Sequence, residues 1–185
     1  DVKLTSGRDE VVLITREGMS IRFSEEDVRP MGRPAIGVKG IELDEGDTVI
    51  AVAVVEPDAT LLVAGSNGLG KRTGFDEYRP QSRGGKGIIT MRTTERTGGV
   101  VGALTVRETD EVMLITAGGQ MVRIAVKDVR QTSRIAQGVK LIDLGEGDRL
   151  QAVAPVISEE RNGDESQPEA SGSSPSDAKS TSSPP

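Results

Sequence analysis

The sequence predicts an all-β protein built from propeller-like blades, and three observations carry that expectation. Three segments superimpose at intervals of 50 and 51 residues, so that Arg22, Arg72 and Arg123 fall in register. So do Asp27, Glu77 and Asp128; Arg29, Arg79 and Arg130; Arg33, Arg83 and Arg134; and Gly37, Gly87 and Gly138. Agreement of several residue types in one register marks an internal repeat. Each copy opens with two short β-rich runs separated by a Gly-bearing turn, the pattern of a hairpin. No stretch shows helical periodicity, and Arg29-Pro30 and Arg79-Pro80 disfavour helix in mid-repeat.

In chain order, residues 1–9 read as the last strand of a preceding blade and a linker. The first blade, 10–58, has strands at Val11–Thr15 and Met19–Phe23 around Glu17-Gly18, a third strand beginning at Gly37 and a fourth at Thr48–Val55. The second, 59–109, repeats this with Thr60–Ala64, Leu69–Thr73, Gly87 and Val100–Val106, and the third, 110–157, with Val112–Thr116, Met121–Ala125, Gly138 and Leu150–Val156. Four strands in about 50 residues make a blade. Blades bury their faces against neighbours, so the natural protein is expected to extend N-terminally. From Ser158 apolar residues nearly vanish, and 158–185 reads as a disordered acidic Ser/Pro-rich tail, either a competitor for a basic patch or a solubilising terminus.

Composition narrows the chemistry. Phe23, Phe75 and Tyr78 are the only rings, so the core is aliphatic, and binding of single strands by base stacking is disfavoured. The absence of Cys and His removes thiol nucleophiles, disulfides, imidazole bases and the usual zinc ligand sets. The net charge of −6 is uneven: −4 in the tail, −2 in residues 1–157, and +4 within 71–96. A local basic patch sets the field at contact range, so a polyanion partner is compatible with an acidic chain. No signal peptide or membrane-length apolar run is present, and the expected compartment is the cytoplasm.

Gln81-Ser82-Arg83-Gly84-Gly85-Lys86-Gly87 is the most specific stretch. Its glycines allow close backbone approach to a phosphate, Arg83 can fork onto phosphate oxygens, and Lys86 adds a point charge. The competing reading is a tight inter-strand loop with solvated charges. Arg22, Arg72 and Arg123, with Arg33, Arg83 and Arg134, form a once-per-repeat ladder suited to phosphates, or else pair with the recurring acids. Phosphate contact is favoured for Lys71, Arg72, Arg83 and Lys86, and a structural role beside Asp27, Glu77 and Asp128 for Arg29, Arg79 and Arg130. Gly65–Lys71 fits the GxxxxGK phosphate loop, but Arg72 follows where Ser or Thr would hold magnesium. Asp44–Asp47 and Gly145–Asp148 are too short for a calcium loop and read as turns. Tyr78 aligns with Val28 and Val129 and reads as packing.

Residues 81–87 resemble the box motif Gln-Arg-Arg-Gly-Gly-Lys-Gly found in the family of DNA gyrase C-terminal domains, matching six of seven positions, with Ser82 replacing the first Arg. The repeats, as in GRDEVVLITREGMSIRF, DEVMLITAGGQMVRI, GLGKRT and GVKGIELDEGD, are similar to that family's blades over residues 1–157. The resemblance implies a six-bladed β-pinwheel with strands exchanged between blades, whose rim wraps duplex DNA with a positive crossing for ATP-dependent negative supercoiling. The box normally lies in the first blade, whereas here a complete repeat precedes it, so the register is that of the last three blades plus tail. Carried over, Gln81, Arg83, Gly84, Gly85, Lys86 and Gly87, with Lys71, Arg72, Arg22, Arg33, Arg123 and Arg134, would contact DNA phosphates with weak sequence preference. The resemblance implies no catalytic tyrosine and no cofactor in this chain, ATP and magnesium serving elsewhere in the complex of a type IIA topoisomerase. It implies as partners the rest of the gyrase A polypeptide and the gyrase B polypeptide in an A2B2 assembly, in a bacterial, nucleoid-associated setting without membrane contact. The alternatives are the corresponding domain of topoisomerase IV, with more degenerate blades, and a propeller-type protein-interaction scaffold.

Overall fold

The computed structural model describes residues 1–157; the expected tail, 158–185, lies outside the described residues. Its strands are β1 (Glu10–Thr15), β2 (Met19–Ser24), β3 (Val49–Val54), β4 (Thr60–Gly65), β5 (Leu69–Gly74), β6 (Ile88–Ile89), β7 (Val100–Val106), β8 (Glu111–Thr116), β9 (Met121–Ala125), β10 (Val139–Lys140) and β11 (Leu150–Pro155). The second strand of each repeat runs into a single 3-10 turn: Glu25–Asp27, Phe75–Glu77 and Val126–Asp128. Each hairpin turns on a glycine at positive φ, and Gly68 at 79° closes the three-residue β4–β5 loop in a conformation that a side chain would strain.

The sheets do not coincide with the repeats. The first has the order β3-β1-β2-β6 and the second β10-β5-β4-β7, so the outer strand of each comes from the following repeat. Ile88–Ile89 pairs with Met19–Ser20, and Val139–Lys140 with Leu69–Gly70. The third strand expected at Gly37 does not form. Its register partner would be the second strand of an earlier repeat, and the described residues contain none. By the same logic the third sheet, β11-β8-β9, has three strands among the described residues, and Met121 on its edge is largely exposed. Elsewhere the blade architecture is as expected, and residues 1–9 form no strand.

Alternation of side chains along each strand explains the core. Val12 and Ile14 of β1 meet Leu61 and Val63 of β4 in one buried cluster, while Leu62 and Ala64 of β4 meet Val112 and Leu114 of β8 in another. β4 is therefore buried on both faces, as a central blade must be. The first strands of the three repeats are thus stacked through apolar layers. The innermost strands β3, β7 and β11 lie side by side at the hub, where the Thr105 hydroxyl donates to the Val54 carbonyl at 2.6 Å. The 3-10 turns and the segments that follow lie at the opposite margin, so the rim of the blade stack is built from residues 28–41, 78–91 and 129–142.

Candidate nucleic-acid interface

The second strand of each of the first two repeats presents an arginine to the rim segment of the next repeat. Arg22 on β2 donates to the carbonyls of Phe75 (2.7 Å) and Tyr78 (3.1 Å) and pairs with Glu10; its side chain is 14% exposed. Arg72 on β5 donates through Nε to Val129 O at 2.7 Å and reaches Glu108 at 3.5 Å, with 7% of its side chain exposed. Backbone bonds complete these joints: Gln81 N donates to Arg22 O, and Thr132 N to Arg72 O, each at 2.8 Å. Lys71 is fully buried and donates from Nζ to Thr73 Oγ1 (3.2 Å), Ser133 O (2.8 Å) and Arg134 O. Burial lowers its pKa to about 8, partly offset by the nearby Glu77 carboxylate. The expectation that Lys71, Arg72 and Arg22 touch DNA is therefore corrected. Their cationic ends are spent on backbone carbonyls inside the joints, where a phosphate cannot reach without opening the blade stack. Arg123, their equivalent on β9, is 54% exposed and pairs with Glu111, which holds the acid below the usual carboxylate range.

The box-like loop is folded against the preceding repeat. Arg83 donates to Asp27 O (2.8 Å) and Lys39 O (3.1 Å), Gly84 N to Gly40 O (2.6 Å), and Gly85 O accepts from Glu42 N (2.8 Å). Gly87 has φ +72°, and a Cβ there would sit 2.1 Å from Ser20 O. Gly87 thus serves close approach of backbone to backbone, whereas a Cβ at Gly85 would meet nothing nearer than Ile21 Cδ1 at 3.8 Å. Gln81 is half-buried, and its side-chain nitrogen has no partner among the described residues. Arg134 repeats the backward clamp, donating to Ile89 O while its own N–H donates to Glu77 Oε2 at 2.8 Å. Arg33 is exposed, and Lys86 stands out from the loop with 69% of its side chain exposed.

The arginines assigned to structure show the reverse placement. Arg29, Arg79 and Arg130 are exposed, and among the described residues no ion pair joins them to Asp27, Glu77 or Asp128. Each follows closely on the 3-10 turn of its repeat, at the same margin of the rim. They belong to a larger pattern. The three rim segments, 28–41, 78–91 and 129–142, each contain three cations and no acid: Arg29, Arg33 and Lys39; Arg79, Arg83 and Lys86; Arg130, Arg134 and Lys140. The remainder of residues 1–157 holds 12 basic and 23 acidic residues, so the three rim segments are basic stretches in an otherwise acidic sequence. The signal is present in the sequence as three acid-free windows in register, a pattern carried by the missing acids as much as by the aligned arginines.

Other candidates resolve as packing and turns. Tyr78 is buried, its ring centroid 6.4 Å from that of Phe75 and its hydroxyl bonded to Thr90 at 2.7 Å; burial raises its pKa. Gly65–Lys71 spans the β4–β5 hairpin and leads into a strand. Asp47 Oδ1 accepts from the backbone of Glu17 and Thr48, and Asp148 Oδ1 from Gly118 and Arg149, which is turn chemistry. No group of acids suited to a metal ion occurs among the described residues, and none of their helices is long and apolar enough to cross a membrane.

Known proteins share this geometry. The family model described as "DNA gyrase C-terminal domain, beta-propeller" matches residues 9–56, 59–107 and 110–157. The DNA gyrase A polypeptide of Staphylococcus epidermidis is 45% identical over 163 residues, covering 87% of this chain and 18% of that protein. Its Escherichia coli counterpart is 46% identical over 162 residues, covering 86% and 18%. The chain thus spans less than a fifth of the length of these curated relatives. A solved DNA gyrase A C-terminal domain superimposes with TM-score 0.78 at 28% identity, over 83% of this chain and 52% of that one. The C-terminal domain of a DNA topoisomerase IV gives TM-score 0.79 at 29% identity, over 84% and 49%.

Proposed function

The chain belongs to the DNA gyrase C-terminal domain family, and we propose that its rim binds duplex DNA by the phosphate backbone and bends it around the blade stack. The observation that carries the reading is the belt: nine cations and no acid in three equivalent segments, on a chain whose net charge is −6. A cation row repeated once per blade suits a polymer with evenly spaced phosphates and needs no base readout. The exposed members, Arg29, Arg33, Lys39, Arg79, Lys86, Arg130 and Lys140, supply the contacts, and the half-buried Arg83 and Arg134 hold the segments in place through backbone carbonyls. Arg123 adds to the rim at the last blade. Bending a 20–30 bp site costs on the order of 1–6 kcal/mol, so several blades must act together.

Within the parent protein, this wrapping serves the gyrase A polypeptide in an A2B2 complex with gyrase B, and supplies the chiral crossing for ATP-dependent negative supercoiling by a bacterial type IIA topoisomerase in the cytoplasm, at the nucleoid. Strand cleavage belongs to other parts of that protein, since the one tyrosine here is buried. The fold fits the gyrase and topoisomerase IV domains equally well; the box-like stretch at 81–87 and the gyrase A relatives favour gyrase.

The test is the affinity of the chain for mixed-sequence duplexes of increasing length, with fluorophores at the two ends. Affinity that climbs with length, with the ends drawn together, supports wrapping. Length-independent affinity with straight DNA would reduce the rim to a simple docking patch, and a folded chain with no DNA affinity at low salt would favour a protein-interaction scaffold.

A further inference from the structure

The hub carries an open cleft of about 350 Å³, bordered by two arginines and by no residue of the rim segments. Arg16 directly follows β1, and Arg149 directly precedes β11. Their places recur in every repeat, because the residue after the first strand donates its N–H to the residue before the inner strand. Arg16 N donates to Thr48 O, Ser66 N to Gly99 O and Ala117 N to Arg149 O. The middle repeat fills both places with small residues, Ser66 and Gly99, while each flanking repeat fills one of them with arginine. Backbone bonds fix the three repeats around this gap: Val100 N donates to Arg16 O and Leu150 N to Ser66 O, each at 2.8 Å. The stem of Arg16 crosses Gly99, where a Cβ would sit 3.1 Å from Arg16 Cγ.

We infer that this cleft binds the diphosphate group of a small anion. Arg16 and Arg149 are both exposed, and neither has an ion-pair partner among the described residues. Among the described residues no acid lines the cleft. The nearby carboxylates of Asp47 and Asp148 are held by backbone N–H groups of their own turns, those of Glu17 and Thr48 and those of Gly118 and Arg149. Two planar guanidiniums on one cleft match two linked phosphoryl groups, each fork engaging its own oxygens. The Ser66 hydroxyl and the Gln151 amide add neutral donors beside them. The remaining wall includes the aliphatic Ile50 and Val101 and offers no ring on which a nucleobase could stack, so recognition falls on the phosphates. All three repeats contribute, so an occupant that binds only the folded stack raises its unfolding midpoint. The hub lies opposite the rim, and the site stands whether or not the rim binds duplex.

The experiment titrates sodium pyrophosphate into the full chain at constant ionic strength, without magnesium, and follows amide and guanidinium NMR signals. Saturable shifts are expected at Ser66, Gly99 and Gln151 and at the Nε–H groups of Arg16 and Arg149, together with a rise in the unfolding midpoint. Arg16→Gln and Arg149→Gln should each weaken binding on the order of tenfold. The double variant should lose both the hub shifts and the midpoint rise. Both side chains are exposed, so these changes leave the fold intact, which the ligand-free unfolding midpoint checks. Pyrophosphate also meets the rim cations, so Arg29→Ala/Arg79→Ala/Arg130→Ala serves as the control and should keep the hub shifts. ADP is the second arm: affinity equal to that of pyrophosphate or greater supports a diphosphate ester as the occupant, and lower affinity supports the free anion. No shift at the hub, shifts confined to the rim segments, hub shifts that persist in the Arg16→Gln/Arg149→Gln variant, or a response to ADP alone would overturn the inference.

Discussion

Lys71 shares one position with Ile21 and Val122 in the three repeats, and only Lys71 carries a charge into the joint. Its pKa near 8 lies below the unfolded value of about 10.4, so between those values the unfolded chain binds more protons and stability rises with pH. The gain is absent below pH 8 and complete above the unfolded value. Lys71→Met should remove this rise, measured as the difference between variant and parent in urea unfolding at the two ends of that window. The difference matters because Tyr78, whose pKa is raised, works in the opposite sense at the upper end. A parent whose pH profile matches the variant's would place Lys71 in water. Arg72→Ala strands the Val129 carbonyl and should cost roughly 1–3 kcal/mol, leaving the salt dependence of DNA binding unchanged. A charged residue in a β-run reads as exposed from sequence, because polarity is the usual mark of the solvent face. The carbonyls that satisfy Lys71 and Arg72 come from the following repeat, and no local pattern reveals them.

Strand exchange is the element that turns repeats into a continuous stack. Gly87 and Gly138 admit it, since a Cβ would meet Ser20 O at 2.1 Å and Gly70 O at 2.3 Å, at φ +72° and +90°. Gly37 has φ +95° and nothing within 4 Å. Gly87→Ala and Gly138→Ala should therefore destabilise well beyond Gly37→Ala, which meets only the backbone strain of about 1 kcal/mol. Unfolding midpoints of the three variants check this, and equal losses would mean that the close approach is unimportant. The hairpins and inner strands were legible because alternation and Gly turns are local signals. Which sheet the third strand joins was not, because Ile88–Ile89 and Val139–Lys140 are two-residue strands whose partners lie one repeat back.

Across the whole molecule, the repeat alone carries most of the architecture, because three copies in register leave few ways to stack hairpins around a hub. The candidate interface was legible only in part. The arginines on the second strands align across the repeats, yet Arg22 and Arg72 point into the joints, while Arg29, Arg79 and Arg130, which align as well, face solvent. What separates the two sets is which side of a blade joint each lies on, a property of the assembled stack. If the solvent-facing set holds the phosphates, its removal must show in the salt dependence of binding. Duplex affinity should therefore be measured across a salt series for the unsubstituted chain and for Arg29→Ala/Arg79→Ala/Arg130→Ala. Three lost phosphate contacts should lower the magnitude of the log–log slope by about 3, with weaker binding and an unchanged unfolding midpoint. A slope equal to the parent's in a folded variant would contradict this and move the DNA off these three arginines.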